Sequence, residues 1–258
     1  MNRILKWLTA GLLVACQTSR PTPDPAPPVA VAPALPDGWQ TGETRHFETL
    51  WNEPAWQGPL RWSAEDRAVL AQALGTPPDS LDGAETTQRA ALWLSRDASP
   101  DSSALLIAHL ERRLDPDVRG RNAADILAAE ILARRNPLAT EVLRSLDALA
   151  LGPAPHPNLE VRVQCAAARL AHVPPAAARD LGPTNALLRF LLRVLRAETP
   201  AQSLDPPDWP RVETLAWSKY QAAAAVRRFC PDLEEYVPDA SWAWQNEWAA
   251  RAQQKLGL

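Results

Sequence analysis

Lysine and glycine are scarce in this chain: of 258 residues only Lys6, Lys219 and Lys255 are lysine, and ten are glycine. So little glycine leaves no Gly-rich loop able to cradle a phosphate. No Cys-x-x-Cys is present, and the four histidines, His46, His109, His156 and His172, form no His-Glu-x-x-His or other close ligand spacing. No metal site, cofactor motif or Ser, His and Asp triad is therefore legible, and the expected catalytic set is none. An excess of positive charge is absent too. The 27 Lys and Arg face 30 Asp and Glu for a net charge of -3, which argues against a nucleic-acid binder, usually marked by a strongly basic face. Nothing after Trp39 alternates with period two for long enough to suggest a sheet.

What remains is a chain rich in Ala, Arg, Leu and Trp. Hydrophobic residues make up 46% of it, enough to bury a core as one domain or a short solenoid. The use of Arg where other proteins use Lys reflects a GC-rich coding sequence rather than a function.

The start of the chain, up to Cys16, has the layout of an export signal. Arg3 and Lys6 give a basic start, Trp7 to Ala15 form a compact apolar stretch without an acid, and small residues lead to Cys16. The stretch falls short of the roughly 20 apolar residues that cross a bilayer. Leu13-Val14-Ala15-Cys16, with Leu three places before the cysteine and Ala immediately before it, resembles the lipobox of bacterial lipoproteins. The resemblance implies removal of residues 1–15 and a mature chain that begins at a diacylated, palmitate-type Cys16. Two or three acyl chains, at about 0.8 kcal/mol per buried methylene, anchor firmly where one is marginal. The membrane is then the first partner. Gln17 in place of Asp resembles the outer-membrane sorting pattern, so the expected address is the cell envelope, at the outer membrane facing the periplasm. Loss of Arg3 and Lys6 takes the mature charge to -5. The alternative is an ordinary secretory signal with a chance cysteine.

Residues 16–36 read as the lipidated cysteine and a disordered proline-rich linker, with Pro21, Pro23, Pro25, Pro27, Pro28, Pro33 and Pro36. An extended polyproline chain rises about 3.1 Å per residue, so the spacer reaches up to roughly 60 Å. A ligand for a proline-recognition domain is the alternative. Residues 37–62 follow as a Trp-rich N-terminal cap segment, and residues 63–258 as a helical domain with a Trp-rich capping helix at its C-terminus.

In that domain apolar residues recur at helical spacing. Ser63 with Asp66 predicts a capped start near Ala64, ahead of Leu70 and Leu74. Leu106, Leu110 and Leu114 form one stripe and Ala124, Leu127, Ala128 and Ile131 the next, with Asp115-Pro116-Asp117 between them. Asn136-Pro137 predicts another start, as an N-cap and first-turn proline before Val142, Leu146 and Leu149. Further stripes are Leu159, Val163, Ala166 and Leu170; Leu188, Leu191, Leu192 and Leu195; Leu215, Ala222 and Val226; and Trp244, Trp248, Ala252 and Leu256. The fold class is all-α.

Helix pairs in series suggest a repeat. Asp117-Val118-Arg119 leads into Ala123-Ala124, and Glu160-Val161-Arg162 into Ala166-Ala167, an offset of 43 from Val118 to Val161. Earlier and later copies end in Arg89-Ala90-Ala91-Leu92 and in Ala222-Ala223-Ala224-Ala225-Val226. These elements resemble HEAT repeats, which implies a short right-handed α-solenoid of HEAT-like helix pairs over roughly residues 63–230. An irregular helical bundle is the alternative. On the solenoid reading, Arg119 and Arg162 pair with turn acids along the stack.

Three groups of side chains carry the remaining expectations. His46 beside Glu48, His109 among core leucines and His156 between prolines read as packing or surface residues. Cys165 and Cys230 read as two buried free thiols, because equivalent helices would set them roughly 12 Å apart, beyond disulfide reach. Trp39, Trp51, Trp56 and Trp62, and Trp242, Trp244 and Trp248, read as caps over the two ends of a stack. The sharper alternative gives Trp51, Trp56 and Trp62 to a ligand or partner surface, an aromatic platform for cell-wall glycan. The expected function is thus a non-catalytic protein-binding or scaffolding lipoprotein with an envelope protein as partner and no enzyme activity; the alternative is a glycan-binding lipoprotein.

Overall fold

The computed structural model of the chain describes residues 29–40, 52–54, 59–76, 81–112, 121–175, 182–198 and 209–258. Within them nine helices follow one another: α1 (Ala64–Gly75), α2 (Leu81–Ser95), α3 (Pro100–Glu111), α4 (Arg121–Arg134), α5 (Thr140–Leu151), α6 (Leu159–Ala171), α7 (Gly182–Arg196), α8 (Trp209–Arg227) and α9 (Trp242–Leu256). Two short strands, β1 (Ala30–Val31) and β2 (Leu60–Arg61), pair in parallel, Ala30 opposite Leu60 and Val31 opposite Arg61. The fold is all-α, and among the described residues no helix is long and apolar enough to cross a membrane.

Helix boundaries follow local chemistry. Ser63 Oγ accepts the Asp66 N–H at 3.0 Å and donates to the Asp66 carboxylate at 2.7 Å, an N-cap in which Asp66 holds the capping hydroxyl rather than the Ser63 backbone N–H that a capping box would engage. Asn158 Oδ1 takes the N–H groups of Glu160 and Val161 at the head of α6. Ser241 caps α9, which ends at Gly257 in the left-handed region at φ 68°. The expected start at Asn136-Pro137 is corrected. That peptide is cis, and α5 begins later, at Thr140 behind Ala139, with no side-chain cap. The preceding Arg135 reaches back to earlier helices, and the chain turns into α5 only after Leu138 has packed on the core.

The helices pack in two rows. In one, α1, α3, α5, α7 and α9 each lie against the next; in the other, α2, α4, α6 and α8 do so; and the pairs α1–α2, α3–α4, α5–α6 and α7–α8 close across the rows. One hydrophobic core runs through all of them. The second row is the deeper: α6 buries Val161, Val163, Gln164, Cys165, Ala166, Ala168 and Leu170, almost its whole circumference.

The second row also carries a register. Ala90-Ala91 precede Leu94 on α2, Ala128-Ala129 precede Leu132 on α4, and Ala166-Ala167 precede Leu170 on α6, the three copies following at equal intervals. Ala222-Ala223 precede Val226 on α8 after a longer interval. The first alanine and the Leu or Val of every copy are 0% or 1% exposed, because small side chains let adjacent helices approach. In each copy the carbonyl of that Leu or Val accepts the N–H three places on, from Asp97, Arg135, Val173 and Phe229. The carbonyls of Leu94, Leu132 and Leu170 gain a second contact from the end of the following even-numbered helix, from Arg135, His172 and Arg228 respectively. These are last-turn carbonyls with no partner inside their own helix. In this register Ala128-Ala129, rather than Ala123-Ala124, stands where Ala166-Ala167 stands on α6, an interval shorter than the expected one from Val118 to Val161, whose Val118 lies outside the described residues.

Both ends are closed by aromatic rings. Trp62 sits edge-on to Trp93 at 5.9 Å between centroids and donates its indole N–H to the Trp93 carbonyl at 3.0 Å. Leu60 bridges β1 to residues 96–98, and Ala32 and Leu35 hydrogen-bond to Arg61 and Asp66. The segment read as spacer is thus tied to the domain from Ala30 onward. At the other end, buried Trp248 lies edge-on to Tyr236 at 5.2 Å and donates to the Glu234 carbonyl. Beside it the buried Lys219 ammonium donates to Gln245 Oε1 at 2.7 Å, and burial lowers its pKa.

Candidate functional site

Of the residues singled out from sequence, Cys16, Trp51 and Trp56 lie outside the described residues, as do His46, Glu48, Leu114, the Asp115-Pro116-Asp117 turn, Val118 and Arg119. Trp62 is 1% exposed with both ring and N–H engaged on Trp93, so it offers no face to a ligand. Trp242 is half-exposed at the start of α9 and donates to the Arg196 carbonyl at 3.3 Å. Among the described residues Arg162 pairs with no turn acid. Its guanidinium lies 4.9 Å above the Phe190 ring and its Nε donates to the Ala150 carbonyl, because α7 presents an aromatic face there. Cys165 and Cys230 are separate, buried thiols.

Three residues read as unconnected come together. His109 on α3, Asp125 on α4 and His156 in the turn before α6 are 2%, 4% and 2% exposed. His109 Nε2 is 2.8 Å from Asp125 Oδ1, and His156 Nε2 is 3.6 Å from Oδ2. Hydrogen-bond roles fix the protons. His109 Nδ1 faces the Leu74 carbonyl at 2.8 Å, and a carbonyl only accepts, so Nδ1 carries a proton. His109 Nε2 is the ring atom turned to the Asp125 carboxylate. His156 Nδ1 accepts the Asn158 N–H at 3.2 Å, so its proton sits on Nε2, toward Asp125.

That tautomer decides what the cluster can do. A metal shared by the two rings would need lone pairs on both Nε2 atoms, and His156 has already committed its Nδ1 lone pair to the backbone. Among the described residues no three His, Cys, Asp or Glu side chains gather as a metal site. Nor is there an open nucleophile: burial, and after it the Asp125 charge, push the neighbouring Cys165 thiol pKa upward. The cluster is closed to solvent, and its chemistry is to pin α3, α4 and the α5–α6 turn to one another.

The surface carries a different feature. Gly182, Ala186, Arg189, Arg193 and Arg196 are all exposed on α7, spaced four and three places apart along one face. Leu187, Leu188, Phe190, Leu191, Leu192, Val194 and Leu195 occupy the buried side, so the helix cannot roll this face inward. Ala186 and Leu187 meet Asp147, Ala148 and Leu151 of α5 and its C-cap Gly152 in a shallow groove of about 330 Å³. The Asp147 carboxylate there accepts Arg169 Nε at 3.1 Å.

Sequence reasoning passed over both features for different reasons. His109, Asp125 and His156 are far apart in the chain and lie on separate elements, so no local pattern joins them. The arginines did leave a signal, since Arg189, Arg193 and Arg196 repeat at the same helical spacing as the leucines beside them. Comparison of the chain with protein-family models, with curated proteins and with solved structures finds no match. The functional reading therefore rests on the chain's own residues.

Proposed function

We propose that the chain is an envelope lipoprotein, anchored through Cys16 at the outer membrane on its periplasmic side, whose helical domain is a short HEAT-like solenoid acting as a non-catalytic docking surface for another envelope protein. The observation that carries this reading is the repeated register of the even-numbered helices: Ala-Ala-x-x-Leu or Val four times over, with three consecutive copies tied by a side chain from the next. Units that bury their apolar faces only against neighbours make extended surfaces, which suit protein partners better than small substrates. The burial of the His109–Asp125–His156 cluster supports the same view, since the chemistry-bearing groups that the fold assembles serve its interior. The anchor rests on Leu13-Val14-Ala15-Cys16.

In-cell chemical cross-linking and mass spectrometry of the tagged chain, wild type beside Cys16→Ala, tests both parts. A specific envelope protein captured by the anchored form and lost in the variant is the expected result. Capture of glycan fragments without protein, or turnover of a cell-wall substrate by the purified chain, would sink the docking function. An unshifted, unlabelled protein after growth with a palmitate analogue would sink the anchor.

A further inference from the structure

We propose that the exposed face of α7, running from Ala186 through Arg189, Arg193 and Arg196, docks an acidic segment of a partner protein, with an apolar side chain of that segment seated in the α5–α7 groove. This rests on the protein-docking reading above and names the chemistry of the partner.

Several independent observations converge on that face. The α7 sequence, GPTNALLRFLLRVLR, holds three arginines and no acid, in a chain whose acids outnumber its bases. On α9 next door surface bases meet carboxylates, Arg251 with Glu234 and Lys255 with Asp232, whereas exposed Arg61, Arg112 and Arg144 stand singly without an ion pair among the described residues and do not line up on one face as the α7 arginines do. Among the described residues Arg189, Arg193 and Arg196 have no such ion pair; Arg196 donates only to Gln253, at 2.6 Å. A helix C-terminus favours bases in its last turn, which accounts for Arg193 and Arg196 but not for Arg189 or for the lack of any acid. Arg193 also stands close enough to Arg162 for the two like charges to repel, which adds to burial in lowering the Arg162 pKa. An anion laid along the face would relieve that repulsion.

The geometry selects a peptide. Arg189 to Arg196 spans about 10 Å at 1.5 Å per residue, the length of roughly three residues of extended chain. Guanidinium and carboxylate match as paired hydrogen-bond forks, a stronger contact than two neutral groups make. Ala186 lies one turn before Arg189 on the same face and lines the groove, so a chain following the arginines meets an apolar slot at its end. A bilayer surface or a nucleic acid offers no side chain for that slot. The net charge of -3 further opposes approach to an extended anionic surface, whereas a short acidic segment feels the local field within about 10 Å.

The test places a photoreactive residue on this face in the full chain in cells, as Ala186→p-benzoylphenylalanine, with the same residue at exposed Ala104 on α3 as control. The expected product is one protein cross-linked from position 186 but not 104, through a peptide whose Asp and Glu outnumber its Lys and Arg. R189E/R193E should lower that product about tenfold or more, R189K/R193K should retain most of it, and reversing two acids of the captured segment should restore it to the R189E/R193E chain. Equal thermal melting of all forms shows that the fold is intact. A neutral or basic cross-linked peptide, a lipid adduct, a product indifferent to R189E/R193E, or no product from position 186 overturns the proposal. If the chemical cross-linking above still captures a protein while position 186 yields nothing, docking occurs on another face. If neither captures a protein, the docking function itself fails.

Discussion

Replacing Asp125 by alanine removes the carboxylate that two buried histidines face. The magnitude follows from the geometry. The His109 ring keeps its Nδ1 proton on the Leu74 carbonyl, so the variant leaves Nε2 in a pocket 2% exposed without the oxygen that stood 2.8 Å away. Leaving one buried polar group without its partner costs about 1–3 kcal/mol, because the survivor has lost both water and the oxygen that replaced it. A domain of this size gains or loses roughly 2–4 °C of melting temperature per kcal/mol, so Asp125→Ala should melt about 3–12 °C lower. Removing both partners is different. Asp125→Leu with His109→Leu exchanges the pair for apolar volume and leaves the Leu74 carbonyl short of a donor and His156 without the carboxylate, a cost the Asp125 single variant already carries for His156, so the double variant should be more stable than the sum of its single variants by about 2 kcal/mol. Thermal melts followed by circular dichroism, with urea melts to check cooperativity, read both numbers on the Cys16→Ala form. A melting point for Asp125→Ala within about 2 °C of wild type, or strict additivity in the double variant, would refute the pinning role.

Other consequences follow from single groups. Burial raises the Glu160 pKa from 4.5 to about 7, so the folded chain holds a proton there that the unfolded chain has released; stability should fall as pH rises from about 4.5 to about 7, by about 1–2 kcal/mol after screening of its part-exposed carboxylate, and Glu160→Gln should flatten that slope in urea melts. Cys165 and Cys230, buried and unbridged, should react with a thiol reagent in the Cys16→Ala form only after unfolding, and two thiols titrating in the native state would contradict the packing. Trp62→Ala should cost about 3–5 kcal/mol and broaden the urea transition, whereas an exposed ligand platform would leave the melt unchanged. Arg135→Ala deprives the Leu94 and Ser99 carbonyls and Ser103 Oγ of one donor, and should lower stability by about 2–3 kcal/mol; a loss under about 0.5 kcal/mol would show that the tie between α2 and α4 is ornamental.

Helical periodicity made much of the fold legible before any coordinates. Ser63 set a boundary that the structure keeps, because a cap acts within a turn and needs no tertiary context. The start at Asn136-Pro137 failed because Arg135 answers to the Leu94 carbonyl on α2 and the Ser99 carbonyl at the head of α3, far back in the chain, and takes the backbone with it. The register stayed hidden for a related reason. The Val-Arg pairs drew the eye to the interval from Val118 to Val161. What the helices align is small-residue contact and the carbonyl just before the turn, and these set the shorter interval from Ala128 to Ala166. Partnerships between distant elements, such as Asp125 with His109 and His156, leave no trace in one sequence at all. The Trp62 ring shows the limit of composition: a Trp-rich segment is equally a platform or a plug, and only Trp93, 31 positions away, decides between them.

The break in the register bears on where the chain works. Ala90, Ala128 and Ala166 are evenly spaced, and Ala222 stands well beyond the place where the next copy would fall, so the extra chain lies between α6 and α8. If the domain is the solenoid proposed above, an insertion cannot enter the shared core without separating the layers, and it is displaced to the surface, often on the face that meets a partner. Here the expanded stretch is the one that contains α7. The core side of α7 is apolar from Leu187 to Leu195 and conforms to the stack, while its outer side carries Arg189, Arg193 and Arg196 without an acid among them. The helix is therefore constrained on one face by its neighbours and released on the other from the repeat's spacing. If packing alone had shaped it, interspersed charges of both signs would have served solubility as well. On the solenoid and docking readings proposed above, a single-sign face beside an open groove, in the stretch of unequal spacing, is where the partner would be met.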